Sequence, residues 1–119
     1  MKAILFRRVS SKEQEESGYS LPAQEKLLTE HAIKQGFEIA QIFAISESAS
    51  GKKQRETFEK MLKFSSDKNI KIIICEKVDR LTRNLKNAVS INDWLAKDSE
   101  REVHFVKENT VINNNSRSN

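Results

Sequence analysis

The feature that most constrains the fold is a short run of mostly β-branched residues, "IKIIICE", over residues 70–76. A run that is apolar at nearly every position is typical of a strand buried on both faces, as in a parallel sheet that carries helices on each side. We therefore predict an interior strand here. We expect Cys75, the single cysteine of the chain, to be a core residue.

The rest of the chain alternates short apolar segments with longer amphipathic ones. Strands are predicted at residues 3–9, 37–45, 70–76 and 102–106, and helices at residues 21–35, 54–65 and 84–97. The order β-α-β-α-β-α-β favours an α/β fold, with an open, mostly parallel sheet of four to five strands and helices on both faces. Pro22 is acceptable in the first turn of the first helix, and Gly36 is its predicted end.

The helix predicted at residues 84–97 has a broad apolar face. Its members recur at helical spacing and are Leu85, Ala88, Val89, Asn92, Leu95 and Ala96. We expect this face to be the buried one. Trp94 lies off the stripe, so partial burial is predicted for it ahead of a role at an interface.

Length and composition exclude several classes of protein. The chain has 119 residues, of which 37% are hydrophobic and 32% charged, and this fits one globular domain better than a disordered chain. No apolar stretch approaches the ~20 residues that a membrane span requires, and the N-terminal segment becomes charged too soon for a signal peptide. A single cysteine cannot form an internal disulfide. These features predict a reduced, cytoplasmic setting and no membrane partner.

Basic residues cluster where the first three predicted strands end. The net charge of +4 is by itself only a weak indication of nucleic acid. Three basic segments, however, follow the strands: "RRVSS", "SESASGKKQR" and "EKVDRLTR". In an open parallel sheet, ligands bind beyond the carboxyl ends of the strands. The pattern therefore predicts a site for an anionic ligand at that edge of the sheet.

The stretch "FRRVSS" separates into two faces. In an extended strand Arg8 and Ser10 share one face, ~7 Å apart, whereas Arg7 and Ser11 take the other. A guanidinium beside a hydroxyl suits a phosphate, because its planar fork of donors matches the phosphate oxygens. Arg8 and Ser10 are thus the candidate pair. Arg7 is expected to be a surface or structural residue, and Ser11 a loop hydrogen-bonder.

Four more polar residues lie near the same edge of the predicted sheet. Arg80 and Arg83 are three residues apart, so a helical turn puts them on one side. Arg55 is at the start of its helix, where anions are favoured, and Gln24 is polar on an otherwise apolar helix face. Each signal alone is more often a surface ion pair, a turn or a satisfied core amide. Only their shared location at this edge of the sheet favours a ligand-binding site.

The two histidines give no indication of a metal site. His31 and His104 are far apart, with no second ligand nearby, whereas zinc sites need several clustered ligands. We predict no metal and no cofactor.

In combination, these motifs resemble those of a known protein family. The chain is similar to the catalytic domain of serine site-specific recombinases, the resolvase/invertase group, and most like the large serine recombinases and serine transposases. The matching pieces stand in family order and at family-like spacing, and are "RRVSS", "GYSLPAQ", "SGKKQR" and "DRLTR". Each piece alone is weak, but the four together are highly specific. The resemblance covers residues 1–107.

The resemblance implies a role for each matching residue. Ser10 is the expected nucleophile, which attacks a DNA phosphate, forms a phosphoserine bond to the 5′ end and releases a 3′ hydroxyl. Arg8, Arg80 and Arg83 are expected to bind the phosphate. The expected supporting residues are Arg55 (phosphate contact), Gln24 (orientation of its neighbours), Asp79 (holding an arginine or transferring a proton), Ser50, Gly51 and Phe6.

Two departures from the family pattern affect these expectations. The family usually has tyrosine where this chain has Phe6, so the ring is kept and a hydroxyl is lost. Family members also continue into a long helix that drives dimer and tetramer assembly, and then into DNA-binding domains. The resemblance thus implies a catalytic domain over residues 1–107 and a polar tail over residues 108–119, either frayed or leading towards that helix, within a longer protein. Alone, this chain is expected to bind DNA weakly and to recombine nothing.

Three functions follow from these observations. The first is a metal- and ATP-independent DNA recombinase of a mobile element, whose partners are DNA and further copies of itself rather than a small molecule. Whether it acts as integrase, transposase, resolvase or invertase stays open. The alternative is a catalytically inactive phosphate- or nucleic-acid-binding α/β module, which Phe6 favours. A metal-dependent nuclease that uses Glu47 and Asp79 is disfavoured, because arginines outnumber carboxylates at the predicted site.

Overall fold

Strands and helices alternate as far as Cys75, as the sequence predicts, and two helices and then two strands follow. The structure, a computed structural model, describes residues 1–9, 20–46, 50–82 and 84–114. The elements in these ranges are β1 (Lys2–Val9), α1 (Ser20–Lys34), β2 (Glu38–Ser46), α2 (Gly51–Lys68), β3 (Ile72–Cys75), α3 (Val78–Leu81), α4 (Leu85–Ala96), β4 (Glu102–Phe105) and β5 (Thr110–Asn113). Among them, no helix is long and apolar enough to cross a membrane.

The strands form one five-stranded sheet in the order β2-β1-β3-β4-β5. The first four strands are parallel, and β5 pairs antiparallel with β4. The predicted α/β fold is therefore confirmed. The chain runs from β1 outwards to β2 and then returns to β3 on the other side of β1. Ligands of open α/β sheets bind beyond the strand ends at such a reversal point.

Helices cover both faces of the sheet, and the two faces differ. One face, here called the three-helix face, packs against α2, α3 and α4, and its large buried side chains include Phe6, Phe58 and Phe105. The other, the one-helix face, packs against α1 and consists of Ala3, Leu5, Leu28, Ala32, Ile72 and Ile74. Ile73 and Ile74 of β3 point to opposite faces. This is why the strand is apolar at every position.

Local sequence explains where the helices begin and end. Gly36 follows α1 with a φ of 79°, a conformation that glycine adopts at little cost. At the start of α2, the Ser50 Oγ accepts a hydrogen bond from the Lys53 N–H at 3.1 Å. Asn69 ends this helix in the left-handed region. The helix is consequently longer at both ends than the predicted range of 54–65.

The buried face of α4 differs from the predicted one. Leu85 is 81% exposed and Val89 is 50% exposed, and Asn92 and Ala96 are exposed as well, so the prediction that they are buried is wrong. The buried residues of this helix are Asn87, Ile91, Trp94 and Leu95. The helix is therefore rotated relative to its apolar stripe, and Asn87 takes a position in the interior where it meets Arg55 of α2.

Trp94 is more deeply buried than predicted. Only 3% of this residue is exposed, and its indole Nε1 donates to the Ser65 Oγ at 2.8 Å. The Ser65 hydroxyl donates in turn to the Ile70 carbonyl at 2.8 Å. A tryptophan can be buried completely when its N–H has an acceptor, and here α2 supplies that acceptor.

Part of the tail over residues 108–119 forms a strand that the sequence analysis did not predict. Residues Thr110–Asn113 pair with β4, and Ile112 lies opposite Val103. Asn109, with a φ of 49°, lies in the turn before this strand. A four-residue edge strand in an asparagine-rich segment gives little periodic signal, so the sequence indicated only a polar tail.

Candidate active site

The carboxyl end of β1 places an arginine on the three-helix face. Arg8 lies two residues after Phe6 and shares its face of the sheet. It is 5% exposed, and its Nη2 donates to the Gln54 Oε1 at 2.6 Å. Arg7 lies on the opposite face, where its Nη1 is 3.1 Å from the Glu25 Oε1 of α1. The two arginines thus separate as the strand alternation predicts.

Gln54, which was not predicted as a site residue, links the ends of two strands. Its Oε1 accepts from Arg8, and its Nε2 donates at 3.2 Å to the carbonyl of Ser46, the last residue of β2. The amide therefore connects β1 and β2 from the first turn of α2. It orients the guanidinium without adding a charge. The sequence shows a glutamine beside Arg55 but not its partner 46 residues away.

Arg55 connects α2 to α4. Its Nε donates to the Glu59 Oε1 at 2.8 Å within α2. Its Nη1 donates to the Asn87 Oδ1 at 2.6 Å and its Nη2 to the Ser90 Oγ at 2.8 Å, both on α4. The guanidinium carbon lies 5.4 Å from the centroid of the Phe58 ring. Of the five N–H groups of an arginine, these contacts leave one on each terminal nitrogen.

An aromatic contact joins β1 to the same arginine. Phe6 is 1% exposed, and its ring meets that of Phe58 edge-on, with centroids 6.2 Å apart and an interplanar angle of 90°. Phe58 is also the ring against which Arg55 lies. The contact gives Phe6 a packing role that needs no hydroxyl group.

The starts of α2 and α4 border an open groove of about 640 Å³. Its lining residues are Gly51, Lys52, Arg55, Glu56, Asn84, Leu85 and Lys86. A Cβ added at Gly51 would meet no described atom within 4 Å, so this position on the rim borders open space. Three cations and one carboxylate line the groove, and this charge balance suits an anionic ligand.

Several predicted site residues lie outside the part of the chain that the structure describes. Those wholly outside it are Ser10, Ser11, Glu47 and Arg83. Those described in their backbone alone are Gln24, Asp79 and Arg80. The last two belong to α3, which packs against both β1 and β3 at the reversal point of the sheet. The backbone of α3 is therefore next to the strand end that precedes Ser10.

The two histidines are in contact, so the prediction that they lie far apart is wrong. The His31 Nε2 of α1 is 3.0 Å from the His104 Nδ1 of β4, and the His104 Nε2 is 3.0 Å from the Glu102 Oε1. The fold brings these rings together across 73 residues of sequence. Burial lowers the pKa of His31, and the nearby His104 lowers it further. Within the described ranges, no group of three His, Cys, Asp or Glu residues could hold a metal ion.

Comparison with known proteins relates both the sequence and the fold to recombinases. A family profile described as "Resolvase, N terminal domain" matches residues 3–119. The N-terminal catalytic domain of TP901-1 integrase superposes with a TM-score of 0.75 at 21% identity, covering 93% of this chain and 82% of that one. The C-terminal catalytic domain of ISC1926 TnpA, an IS607-like serine recombinase, gives 0.69 at 24% identity, with coverages of 90% and 70%.

A third solved structure gives a similar result. A resolvase family site-specific recombinase from Streptococcus pneumoniae superposes with a TM-score of 0.69 at 24% identity, covering 93% of this chain and 75% of that one. A comparison with curated proteins found no significant match.

Proposed function

The chain belongs to the resolvase N-terminal domain family of recombinase catalytic domains, and we propose that it cleaves DNA with Ser10 as the nucleophile. The observation that carries this proposal is the placement of Arg8. A buried arginine is held by Gln54 at the carboxyl end of β1, two residues before Ser10. This strand end lies at the reversal point of the sheet, where α/β proteins bind their ligands.

In the proposed reaction, the Ser10 hydroxyl attacks a phosphodiester of DNA. A bond forms between the serine oxygen and phosphorus, the bond to the 3′ oxygen breaks, and the 3′ hydroxyl leaves with a proton. Arg8, Arg80 and Arg83 stabilise the negative charge on the phosphate oxygens, which is the main requirement of phosphoryl transfer. Asp79 either holds one of these arginines or takes part in the proton transfer. The phosphoserine bond keeps the energy of the phosphodiester, so the reverse attack rejoins strands without ATP or metal.

The supporting residues act around this centre. Arg55 lines the groove and has an N–H on each terminal nitrogen beyond its contacts with the described residues, so it can donate to a DNA phosphate there. Gln24 orients its neighbours, and Ser50 and Gly51 shape the start of α2. The partners of the whole protein are DNA and further copies of itself. We place the reaction in the cytoplasm, where DNA is accessible and the buried thiol of Cys75 stays reduced.

Trapping of a covalent adduct tests the proposal. Full-length protein is incubated with a pool of DNA duplexes that share fixed ends and a random centre, in a chelator and without magnesium. Denaturing gels detect protein bound covalently to DNA, and mass spectrometry of the released peptides identifies the modified residue. We expect a 5′-phosphonucleotide on Ser10, which Ser10→Ala abolishes and the matched variant Ser11→Ala leaves in place.

Other outcomes distinguish the remaining functions. An adduct that persists in Ser10→Ala contradicts the assignment of the nucleophile. Cleavage that requires metal and leaves no adduct indicates a metal-dependent nuclease. Binding of DNA without either product indicates a catalytically inactive module.

A further inference from the structure

We propose that Asn87, at the start of α4, is a positioning residue for Arg55 and keeps the charge of that arginine available to DNA. The inference rests on the proposed function, because it assigns Arg55 a contact with a phosphate of the bound DNA. It adds α4 to a site that the sequence motifs locate on β1, α1, α2 and α3.

Hydrogen bonds to both its backbone and its side chain fix the location of Asn87. The residue is 7% exposed, and its backbone N–H donates at 2.8 Å to the side-chain Oδ1 of Asn84, which caps α4. Its own Oδ1 accepts from the Arg55 Nη1 at 2.6 Å, slightly shorter than the usual range of about 2.7–3.2 Å for N–H···O bonds. A buried amide with its backbone fixed by a helix cap can hold its partner in one orientation.

Ser90 completes a two-point contact. It lies three residues after Asn87 on the same side of the helix, and its Oγ accepts from the other terminal nitrogen of Arg55 at 2.8 Å. Two acceptors on one helix face thus match the two terminal nitrogens of a planar guanidinium. The described contacts hold the arginine in place and leave one N–H on each of these nitrogens for a further acceptor.

The charges of the partners indicate what the contact is for. Asn87 and Ser90 are neutral, whereas the carboxylate partner, Glu59, has a side chain that is 58% exposed. Solvent weakens an ion pair of that kind. The buried contacts of Arg55 therefore orient it without cancelling its positive charge, as is required of a group that binds a phosphate.

A purely structural role for Asn87 predicts a different response to the substitution Asn87→Asp. This change keeps the size of the side chain and its acceptor oxygen but adds a negative charge next to Arg55. The folded protein should lose no stability, because carboxylates are favoured in the first turn of a helix and beside an arginine. If Asn87 positions Arg55, the rate of DNA cleavage falls in this variant. If Asn87 has a structural role only, the rate is unchanged.

The test compares Asn87→Asp with Asn92→Asp, which makes the same chemical change at an exposed position of α4. Full-length variants are assayed with a duplex recovered from the random pool, for the single-turnover rate of adduct formation, the Kd for DNA and the midpoint of thermal unfolding. We expect Asn87→Asp to slow adduct formation by about 10- to 100-fold, less than the ~10²–10³ that loss of a direct transition-state donor costs. Its unfolding midpoint should not fall, and Asn92→Asp should react at the rate of the unsubstituted protein.

A double-mutant cycle shows whether the effect passes through Arg55. In an Arg55→Ala background, Asn87→Asp should cause no further loss of the rate of adduct formation, because the guanidinium whose charge the new carboxylate offsets is gone. An Asn87→Asp variant that cleaves at the original rate overturns the inference, and so does an equal loss in the Arg55→Ala background. If Asn87→Asp does not fold, Ser90→Ala takes its place in the cycle, and a loss that is additive with Arg55→Ala overturns the inference.

Failure of the proposed function has a separate signature. If the unsubstituted protein forms no adduct, the nucleophile assignment fails, and the role of Asn87 in cleavage fails with it. If the unsubstituted protein forms the adduct and only the Asn87 prediction is wrong, the proposed function stands.

Discussion

The two faces of the sheet share their strands but differ in what their helices hold in place. On the three-helix face, Arg8 and Arg55 are each fixed by a side chain of another element, Gln54 and Asn87 respectively. On the one-helix face, a single helix packs over small and aliphatic residues, and the polar contacts there include the Arg7–Glu25 ion pair and a pair of histidines. The described side chains of the candidate site thus make their contacts on the three-helix face. From the one-helix face we expect Gln24 of α1 to contribute to the site and the packed residues to contribute stability alone.

The largest effect is expected from Phe58→Ala, which removes the aromatic ring against which Arg55 lies. Phe58→Ala removes a fully buried ring and should lower the free energy of unfolding by about 3–5 kcal/mol. It should also slow adduct formation, because Arg55 lies against this ring. Urea denaturation measures the first effect, and single-turnover cleavage at a temperature where the variant is folded measures the second.

Leu28→Ala is the matched control on the one-helix face. Leu28 is 1% exposed, and its truncation should cost about 2–5 kcal/mol of unfolding free energy. Under conditions where the variant is folded, its cleavage rate should equal that of the unsubstituted protein. A similar slowing in both variants would show that the two faces do not differ in the way proposed here.

A smaller effect is expected from Ser65→Ala, which removes a buried hydrogen bond on the three-helix face. The substitution leaves the buried indole N–H of Trp94 without its acceptor, at a cost of about 1–3 kcal/mol in unfolding free energy. The exposed neighbour Ser66 offers a matched control, since Ser66→Ala should change that energy by less than about 0.5 kcal/mol. Equal stabilities of the two variants would contradict a structural role for the Ser65 hydroxyl.

The smallest effect is a pH dependence of stability that arises from His31 on the one-helix face. The pKa of His31 is lower in the folded than in the unfolded chain, chiefly through burial and then through His104 and Lys34. Between those two pKa values the unfolded chain binds more protons, so stability rises with pH. The contribution is complete above the unfolded value of 6.5 and is lost as pH falls towards the folded value.

We therefore expect the unfolding free energy to fall on acidification from about pH 7.5 to about pH 5.5, and to fall less in His31→Gln. Urea denaturation at the two pH values measures this difference. The same pH dependence in both proteins would show that His31 does not cause it. Cleavage assays with His31→Gln at about pH 7.5, where the imidazole is neutral, should give the rate of the unsubstituted protein.

The sequence was sufficient to predict the elements whose signals are local. The β-branched run gave β3, the glycine at position 36 gave the end of α1, and the alternation of β1 separated Arg7 from Arg8. These features depend on neighbours in sequence, which a periodic pattern records. The four residues of β5 carry no such pattern, because the strand forms only through pairing with β4.

Contacts between distant elements could not be predicted in this way. Leu85 and Val89 imitate a buried stripe, whereas the interior position belongs to Asn87, whose partner Arg55 is on another helix. A buried polar side chain is acceptable only with that partner, so its environment cannot be deduced from α4 alone. For the same reason Gln54 and the histidine pair were missed.

Both Arg55 and Gln54, the amide that holds Arg8, lie near one end of α2, so one movement of this helix displaces both. This helix of 18 residues is about 27 Å long, with Ser65 bonded to Trp94 near one end and Gln54 and Arg55 near the other. If it moves as a rigid lever about Ser65, a tilt of about 4° displaces the backbone at Arg55, about 15 Å along the axis, by about 1 Å. Misplacement of that size is enough to slow a reaction about 10²-fold. A change in the interior, far from any DNA, would then shift Arg55 and the amide that holds Arg8 together and in the same direction.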